Sequence, residues 1–141
     1  MATYQTGAAQ QGRGFKPFPE GTMGVRKQTF TVDTALALND ILEMVPVYAG
    51  ETVLDVQLIT EDLDTDGSPA IVLDIGDGDQ RARYIDGSTA GQAGGFARMD
   101  PPVVANYPHT YAADDTIDIL VQVAPATGAT SVDITLIVFV I

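Results

Sequence analysis

Beyond residue 24 the chain alternates apolar and polar positions with a period of two, and this pattern predicts a succession of short strands. Residues 25–32 are rich in Thr, Phe and Val, and residues 41–47 read as a second strand in which Pro46 requires an edge or a strand end. In residues 52–60, Leu54, Val56 and Leu58 alternate with Asp55 and Gln57, giving one buried and one wetter face. Residues 70–75 follow with Ile71, Leu73 and Ile75 in phase, then a short strand at 81–85 ended by Asp86-Gly87, and an edge strand at most at 103–107. Residues 116–123 and 131–141 complete the series and are expected to pair as a hairpin across the turn at 125–130. Residues 33–40 fit either a short helical turn or a loop, and the Gly-, Ala- and Ser-rich stretch 88–99 reads as a long surface loop.

Seven or eight short strands without a convincing helix predict an all-β chain, an antiparallel β-sandwich of jelly-roll type. No fixed-period repeat is visible, which argues against a propeller or solenoid. The last strand is the most informative: Leu136, Ile137, Val138, Phe139, Val140 and Ile141 are apolar in both phases of the alternation. A strand that is apolar on both faces requires cover on both, and an isolated sandwich supplies only one. A second protomer, or the N-terminal segment, is expected to supply the other cover, so these six residues are read as an oligomer interface, with cover by the 88–99 loop within one chain as the alternative.

Residues 1–24 show neither period. Gly at 7, 12, 14, 21 and 24 and Pro at 17 and 19 predict an extended N-terminal arm ahead of a sandwich domain spanning 25–141. Within the arm, Arg13, Phe15, Lys16 and Phe18 set two cations and two aromatics among residues that resist helix formation. Residues 1–14 lack a hydrophobic signal core and no apolar run reaches bilayer-spanning length, so the expectation is a soluble chain without a secretion signal.

Charge sharpens this division. The formal net charge is −12, yet residues 1–32 hold four bases (Arg13, Lys16, Arg26, Lys27) against one acid, while residues 33–141 hold three bases against eighteen acids. An acidic body repels nucleic acid and anionic lipid, so neither is an expected partner, whereas the basic arm suits an acidic one. Hydrophobic residues at 45% and charged residues at 18% exclude wholesale disorder, and a chain of 141 residues suffices for a single core. The absence of Cys removes disulfides, thiolate metal sites and cysteine nucleophiles.

Candidate chemistry is sparse. Asp62, Asp64 and Asp66, followed by Gly67, match the opening of a calcium loop, but position twelve is Leu73 where a bidentate Glu is needed, and Pro69 intrudes. The alternative is that Asp and Gly simply build turns, since fifteen of the nineteen acids are Asp. His109 is the single histidine and reads as a solvated loop residue, and no catalytic or phosphate-binding motif is present. The chain is therefore not expected to be an enzyme or to need a cofactor, with calcium as the one alternative.

Taken together, several segments are familiar. Leu38-Asn-Asp-Ile-Leu-Glu-Met-Val-Pro-Val-Tyr-Ala-Gly-Glu-Thr-Val-Leu-Asp-Val, Leu73-Asp-Ile-Gly-Asp-Gly-Asp, Tyr84-Ile-Asp-Gly, Tyr111-Ala-Ala-Asp-Asp-Thr-Ile-Asp-Ile and the aliphatic last strand resemble small virion proteins of tailed bacteriophages. The closest resemblance is to head decoration, or cement, proteins, and it covers residues 38–141. It implies a β-rich fold, commonly a homotrimer, made in the host cytoplasm and placed on the outer surface of the capsid at junctions of the major capsid protein. On that reading Arg13, Phe15, Lys16, Phe18, Arg26 and Lys27 contact the capsid. The alternatives are a calcium-dependent binding module for fibre or host-glycan recognition, and a tail or connector component of the same virion.

Overall fold

A computed structural model describes residues 1–7, 9, 23–99 and 107–141. In chain order the strands are β1 (Thr3–Gln5), β2 (Gly24–Val32), β3 (Ile41–Val47), β4 (Thr52–Thr60), β5 (Val72–Gly76), β6 (Ile85–Ser88), β7 (Gly95–Arg98), β8 (His109–Thr110), β9 (Asp115–Val123) and β10 (Val132–Val140), with a short 3-10 turn at Ala90–Gln92. They form two sheets, β1-β3-β9-β5-β6 and β2-β10-β4-β7, and β8 pairs with the start of β4. All pairs are antiparallel except β1 with β3.

The alternation in the sequence sets which side chains meet between the sheets. Ile117, Ile119 and Val121 of β9 point inward with Leu73 and Ile75 of β5, and from the other sheet Val56 and Leu58 of β4 face them beside Ile134, Leu136, Val138 and Val140 of β10, all fully buried. In β3 the alternation breaks at a bulge between Glu43 and Val45, so Met44 and Val45 are both buried although adjacent. Pro46 lies beyond the part of β3 that β1 pairs, where its missing N–H breaks no ladder on that side.

Several expectations change. β9 and β10 do not form a hairpin: β9 lies between β3 and β5, β10 between β2 and β4, and residues 124–131 cross from one sheet to the other. The expected strand at 81–85 is largely a turn. The Asp77 carboxylate accepts N–H bonds from Asp79 and Gln80 at 3.0 and 2.9 Å, and Gly76 admits the returning chain, since a Cβ there would lie 2.0 Å from the Gln80 carbonyl oxygen. Asp86 and Gly87 then lie inside β6 rather than ending a strand. The supposed loop at 88–99 contains β7, and the ambiguous 33–40 stretch is a loop closed by Asp40, whose carboxylate accepts N–H bonds from Ala2 and Ala37. Within the stretch read as an arm, Thr3–Gln5 is docked as β1, and Arg13, Phe15, Lys16 and Phe18 lie outside the described residues, as do 103–106.

Arg26 differs from the expectation of a capsid contact. It lies on the inner face of β2 with no exposed surface, forms an ion pair with Glu51 through both terminal nitrogens, donates to the Pro46 carbonyl at 3.1 Å and lies 5.2 Å from the Tyr48 ring centroid. A guanidinium held this way ties β2 of one sheet to β3 of the other, because burial is tolerable only when its donors are used. Arg26→Met is expected to lower stability by about 3 kcal/mol, read as a lower urea midpoint; a midpoint unchanged from wild type would remove Arg26 from the core clamp.

Candidate functional site

Of the residues that the sequence marks for function, those of the acidic turn at 62–66, those of the last strand and Lys27 beside it lie among the described residues, and the surroundings of His109 form a further polar cluster.

Asp64 is buried at 1% exposure, and its two oxygens accept main-chain N–H bonds from Ala70 (2.7 Å), Ile71 (3.2 Å), Ala126 (2.8 Å), Thr127 (2.9 Å) and Asp66 (3.3 Å). Burial alone would raise its pKa, but these N–H donors hold the carboxyl well below the usual range. Asp62 accepts from the Asp64 N–H, and Asp66 accepts from the Ser68 N–H and the Thr127 hydroxyl. The three carboxylates thus serve three separate turns instead of converging on one cation, and Asp64 has no oxygen lone pair to offer. Among the described residues no group of three or more His, Cys, Asp or Glu is placed to hold a metal ion. The arrangement fits the turn-building alternative.

At the other region, Asp77, Arg83, Tyr84 and Tyr111 form a buried network. Arg83 donates to Asp77 at 2.5 Å, the Tyr111 hydroxyl donates to Asp77 at 2.8 Å, and the Tyr84 and Tyr111 hydroxyls lie 2.7 Å apart. Burial opposes ionisation of Asp77, yet the Arg83, Gln80 and Tyr111 donors bring its carboxyl below the ordinary value, and burial keeps both phenols protonated. His109 is half-buried rather than solvated: its Nδ1 lies 3.3 Å from Arg83 and its ring meets Tyr111 edge-on at 4.6 Å. Burial and the Arg83 charge both lower its pKa. A cavity of about 510 Å³ opens beside it, lined by Gly78, Asp79 and residues 109–115. The network contains no Ser, Thr or Cys nucleophile set against a base, and its polar groups bond one another. This network was not legible in the sequence, because Tyr111 lies 27 residues or more from Asp77, Arg83 and Tyr84 of the turn before β6 and only the fold brings it to them.

The outer face of the β2-β10-β4-β7 sheet unites two sets of residues that the sequence kept apart. Leu136, Val138 and Val140 belong to the chain's own core, which corrects their place in the expected interface: strand alternation turns them inward. Ile137 and Phe139 are half-buried on the outer side, and Ile141 is exposed. Exposed Lys27 lies directly opposite Ile137, and Val25 opposite Phe139. Ile59 and Phe96, paired across β4 and β7, add further exposed apolar surface. Val25 and Ile59 were legible in principle, being apolar residues in the outward phase of their strands; Phe96 was hidden in a segment read as loop.

Comparison with solved structures places this architecture. The chain is similar to one in the capsid of Ralstonia phage GP4, at 28% identity and a TM-score of 0.84, covering 99% of this chain and 97% of that one. It is also similar to a chain in the cyanophage Pam1 capsid asymmetric unit, at 25% identity and a TM-score of 0.75, covering 93% and 94%. A chain in the acidic stable capsid of Helicobacter pylori bacteriophage KHP30 shares the fold at 13% identity and a TM-score of 0.53, covering 85% and 87%. No protein-family model and no curated protein matches the sequence. The first two likenesses support a structural role in a phage virion.

Two carboxyls set opposite pH limits. Asp64 has a lowered folded pKa, so its contribution is complete above the ordinary carboxylate range and is lost as pH falls below about 4. Asp64→Asn is expected to lower the melting temperature at neutral pH equally in calcium and in chelator, and to flatten the acid limb; protection by calcium of wild type alone would restore the calcium reading. Asp118 is buried on the outer side of β9, 2.6 Å from Arg81 and from the Thr116 hydroxyl, and burial, with Glu43 and Asp115 adding to it against Thr116 and Arg81, pushes it up to about 7. Its protonated form is favoured by folding, so stability falls as pH rises from about 4 through about 7. In urea titrations at pH 5 and pH 8, Asp118→Asn is expected to show a smaller drop than wild type; an equal drop would assign the alkaline limb elsewhere.

Proposed function

We propose that this chain is a non-enzymatic decoration, or cement, protein that sits on the outer surface of a bacteriophage capsid and bridges neighbouring major capsid subunits. The observation that carries this reading is the whole-length likeness to a chain of the Ralstonia phage GP4 capsid. Eight of the strands support the jelly-roll reading: β2-β10-β4-β7 faces β3-β9-β5-β6, the order two interleaved Greek keys produce. An acidic body suits a densely decorated particle, since like charge keeps particles apart in solution.

In this reading the chain is made in the host cytoplasm, assembles as a homotrimer and uses its symmetry to multiply weak contacts with the shell. Arg13, Phe15, Lys16 and Phe18 of the arm engage an acidic shell surface, joined by Lys27. The calcium-dependent module loses support because the Asp64 oxygens are taken by main-chain donors.

The test is binding of the purified chain to capsids assembled without it. Wild type is expected to bind at saturable sites, and absence of binding would overturn the proposal. Replacing Arg13 and Lys16 together with Glu is expected to weaken binding about tenfold at low salt without lowering the oligomer mass. Full binding by that variant would take the arm out of the mechanism.

A further inference from the structure

We infer that Met1 is removed from this chain and that the Ala2 nitrogen, released as an α-ammonium, forms an ion pair with the buried carboxylate of Asp40 that fastens β1 to the edge of β3.

Asp40 differs from the other buried acids in what it faces. It is 2% exposed, and among the described residues its carboxylate meets two main-chain amides, the Ala2 N–H at 2.8 Å on one oxygen and the Ala37 N–H at 2.9 Å on the other. Asp77 and Asp118 are each paired with an arginine, and Asp64 collects five N–H groups. Asp40 has two neutral donors and no side-chain cation, although a buried carboxylate is stabilised best by a positive partner that also donates hydrogen bonds. One of its two donors, the Ala2 nitrogen, can become that partner.

The surroundings of that nitrogen suit the conversion. Met1 is 90% exposed and Ala2 is exposed as well, so a peptidase can reach the bond between them. Aminopeptidases that remove methionine require a small residue in second place, and Ala meets that requirement. Water adds across the Met1–Ala2 amide: the C–N bond breaks, methionine leaves with the new carboxylate, and the Ala2 nitrogen takes up protons to become an ammonium with three donors.

The attachment of β1 to β3 survives this loss. It begins with the Ile41 N–H donating to the Ala2 carbonyl at 2.9 Å and runs in parallel register from Thr3 opposite Ile41 to Gln5 opposite Glu43. It ends with the Thr6 N–H donating to the Glu43 carbonyl at 3.1 Å and the Thr6 hydroxyl to the Met44 carbonyl at 2.5 Å. Excision therefore leaves these bonds in place and turns a neutral donor at one end of the strand into a charged one. A parallel strand of three residues is a weak attachment by itself, so the contacts at its two ends, Ala2 on Asp40 and Thr6 on β3, decide how firmly it is held.

The test compares two forms of the full chain that differ only by Met1, made in bacteria with and without an inhibitor of methionine aminopeptidase. The intact mass of the untreated chain is expected to correspond to a start at Ala2, and a retained Met1 overturns the inference. The Ile41 and Thr6 amides, which donate across the junction of β1 and β3, are then followed by hydrogen exchange. Both are expected to exchange about tenfold more slowly in the processed form; equal rates in the two forms overturn the ion pair. In Asp40→Asn the difference between the two forms is expected to vanish, and a difference that persists overturns the role of Asp40. If that variant fails to fold, titration of the Ala2 α-amine of processed wild type by NMR decides. A midpoint above the ordinary value of about 8 is expected from a carboxylate at hydrogen-bond distance, and an ordinary midpoint overturns the pair.

Discussion

The Asp64 carboxylate is the constraint around which the sandwich closes at one end. Two chain segments cross between the sheets there, residues 61–71 from β4 to β5 and residues 124–131 from β9 to β10, and neither contains a ladder of its own to hold it. The carboxylate accepts N–H bonds from both, and around it Thr65 donates to the Thr127 carbonyl and Ala129 to the Leu63 carbonyl, each through the main chain. A charge-assisted bond of this type is stronger than a neutral one, and five of them on one residue replace the water that a buried carboxylate would otherwise demand. The same geometry makes the β9–β10 connection a crossing rather than a hairpin, because the turn is anchored to the other connection and not to its own strands.

The opposite end repeats the solution with different chemistry. Arg26 of β2 reaches Glu51 and the Pro46 carbonyl, and Glu51 in turn accepts the Tyr48 N–H, so a buried cation joins the sheets where Asp64 uses an anion. Nearby, Asp77 gathers Arg83, Tyr111 and two turn N–H groups. Part of the net charge of −12 therefore lies inside the fold, since Asp40, Asp64, Asp74, Asp77 and Asp118 are buried, with Arg83 and Arg81 paired to Asp77 and Asp118. The pKa directions of Asp64, Asp74, Asp77 and Asp118 differ because their surroundings differ. Main-chain N–H groups and guanidinium favour the charged form of Asp64 and Asp77, whereas burial dominates at Asp74 and Asp118.

Strand positions were legible in the strands of seven or more residues, which are rich in apolar and β-branched side chains. The expected limits 41–47 and 52–60 coincide with β3 and β4, and β9 and β10 differ by a residue or so at their ends. Pairing was not legible, because alternation specifies which face of a strand is buried and says nothing about its neighbours. Short elements escaped for a related reason: β7 spans Gly95–Arg98 in a segment of small residues, and its pairing with β4 comes from tertiary context, not propensity. At the candidate sites, sequence separation was the obstacle. Asp64 reads as a metal ligand when only Asp62 and Asp66 are in view, and as a clamp once Ala126 and Thr127, more than sixty residues away, are brought beside it. Arg26 reads as part of a basic cluster with Lys27 until the strand is formed; consecutive strand residues face opposite ways, so one enters the core and the other stands on the surface.

That last separation bears on how a protein of this kind works. Lys27 and Ile137 are 110 positions apart in the chain, yet register places them side by side on one face. Lys27, read from the sequence as one of a basic cluster, and Ile137 and Phe139, read as part of a last strand, thereby share a single surface. A virion structural protein needs no pocket that excludes water around a reacting group; it needs a rigid plate whose contact side chains keep their spacing. The sandwich supplies the rigidity through its polar clamps and its interdigitated core, and the outward phase of β2, β4, β7 and β10 fixes the spacing of the side chains presented on that face. Because both phases lie on the same strands, a substitution in the inward phase such as Val138 acts on the core, while one in the outward phase such as Ile137 changes the face presented, and the two effects separate by a single residue along the chain.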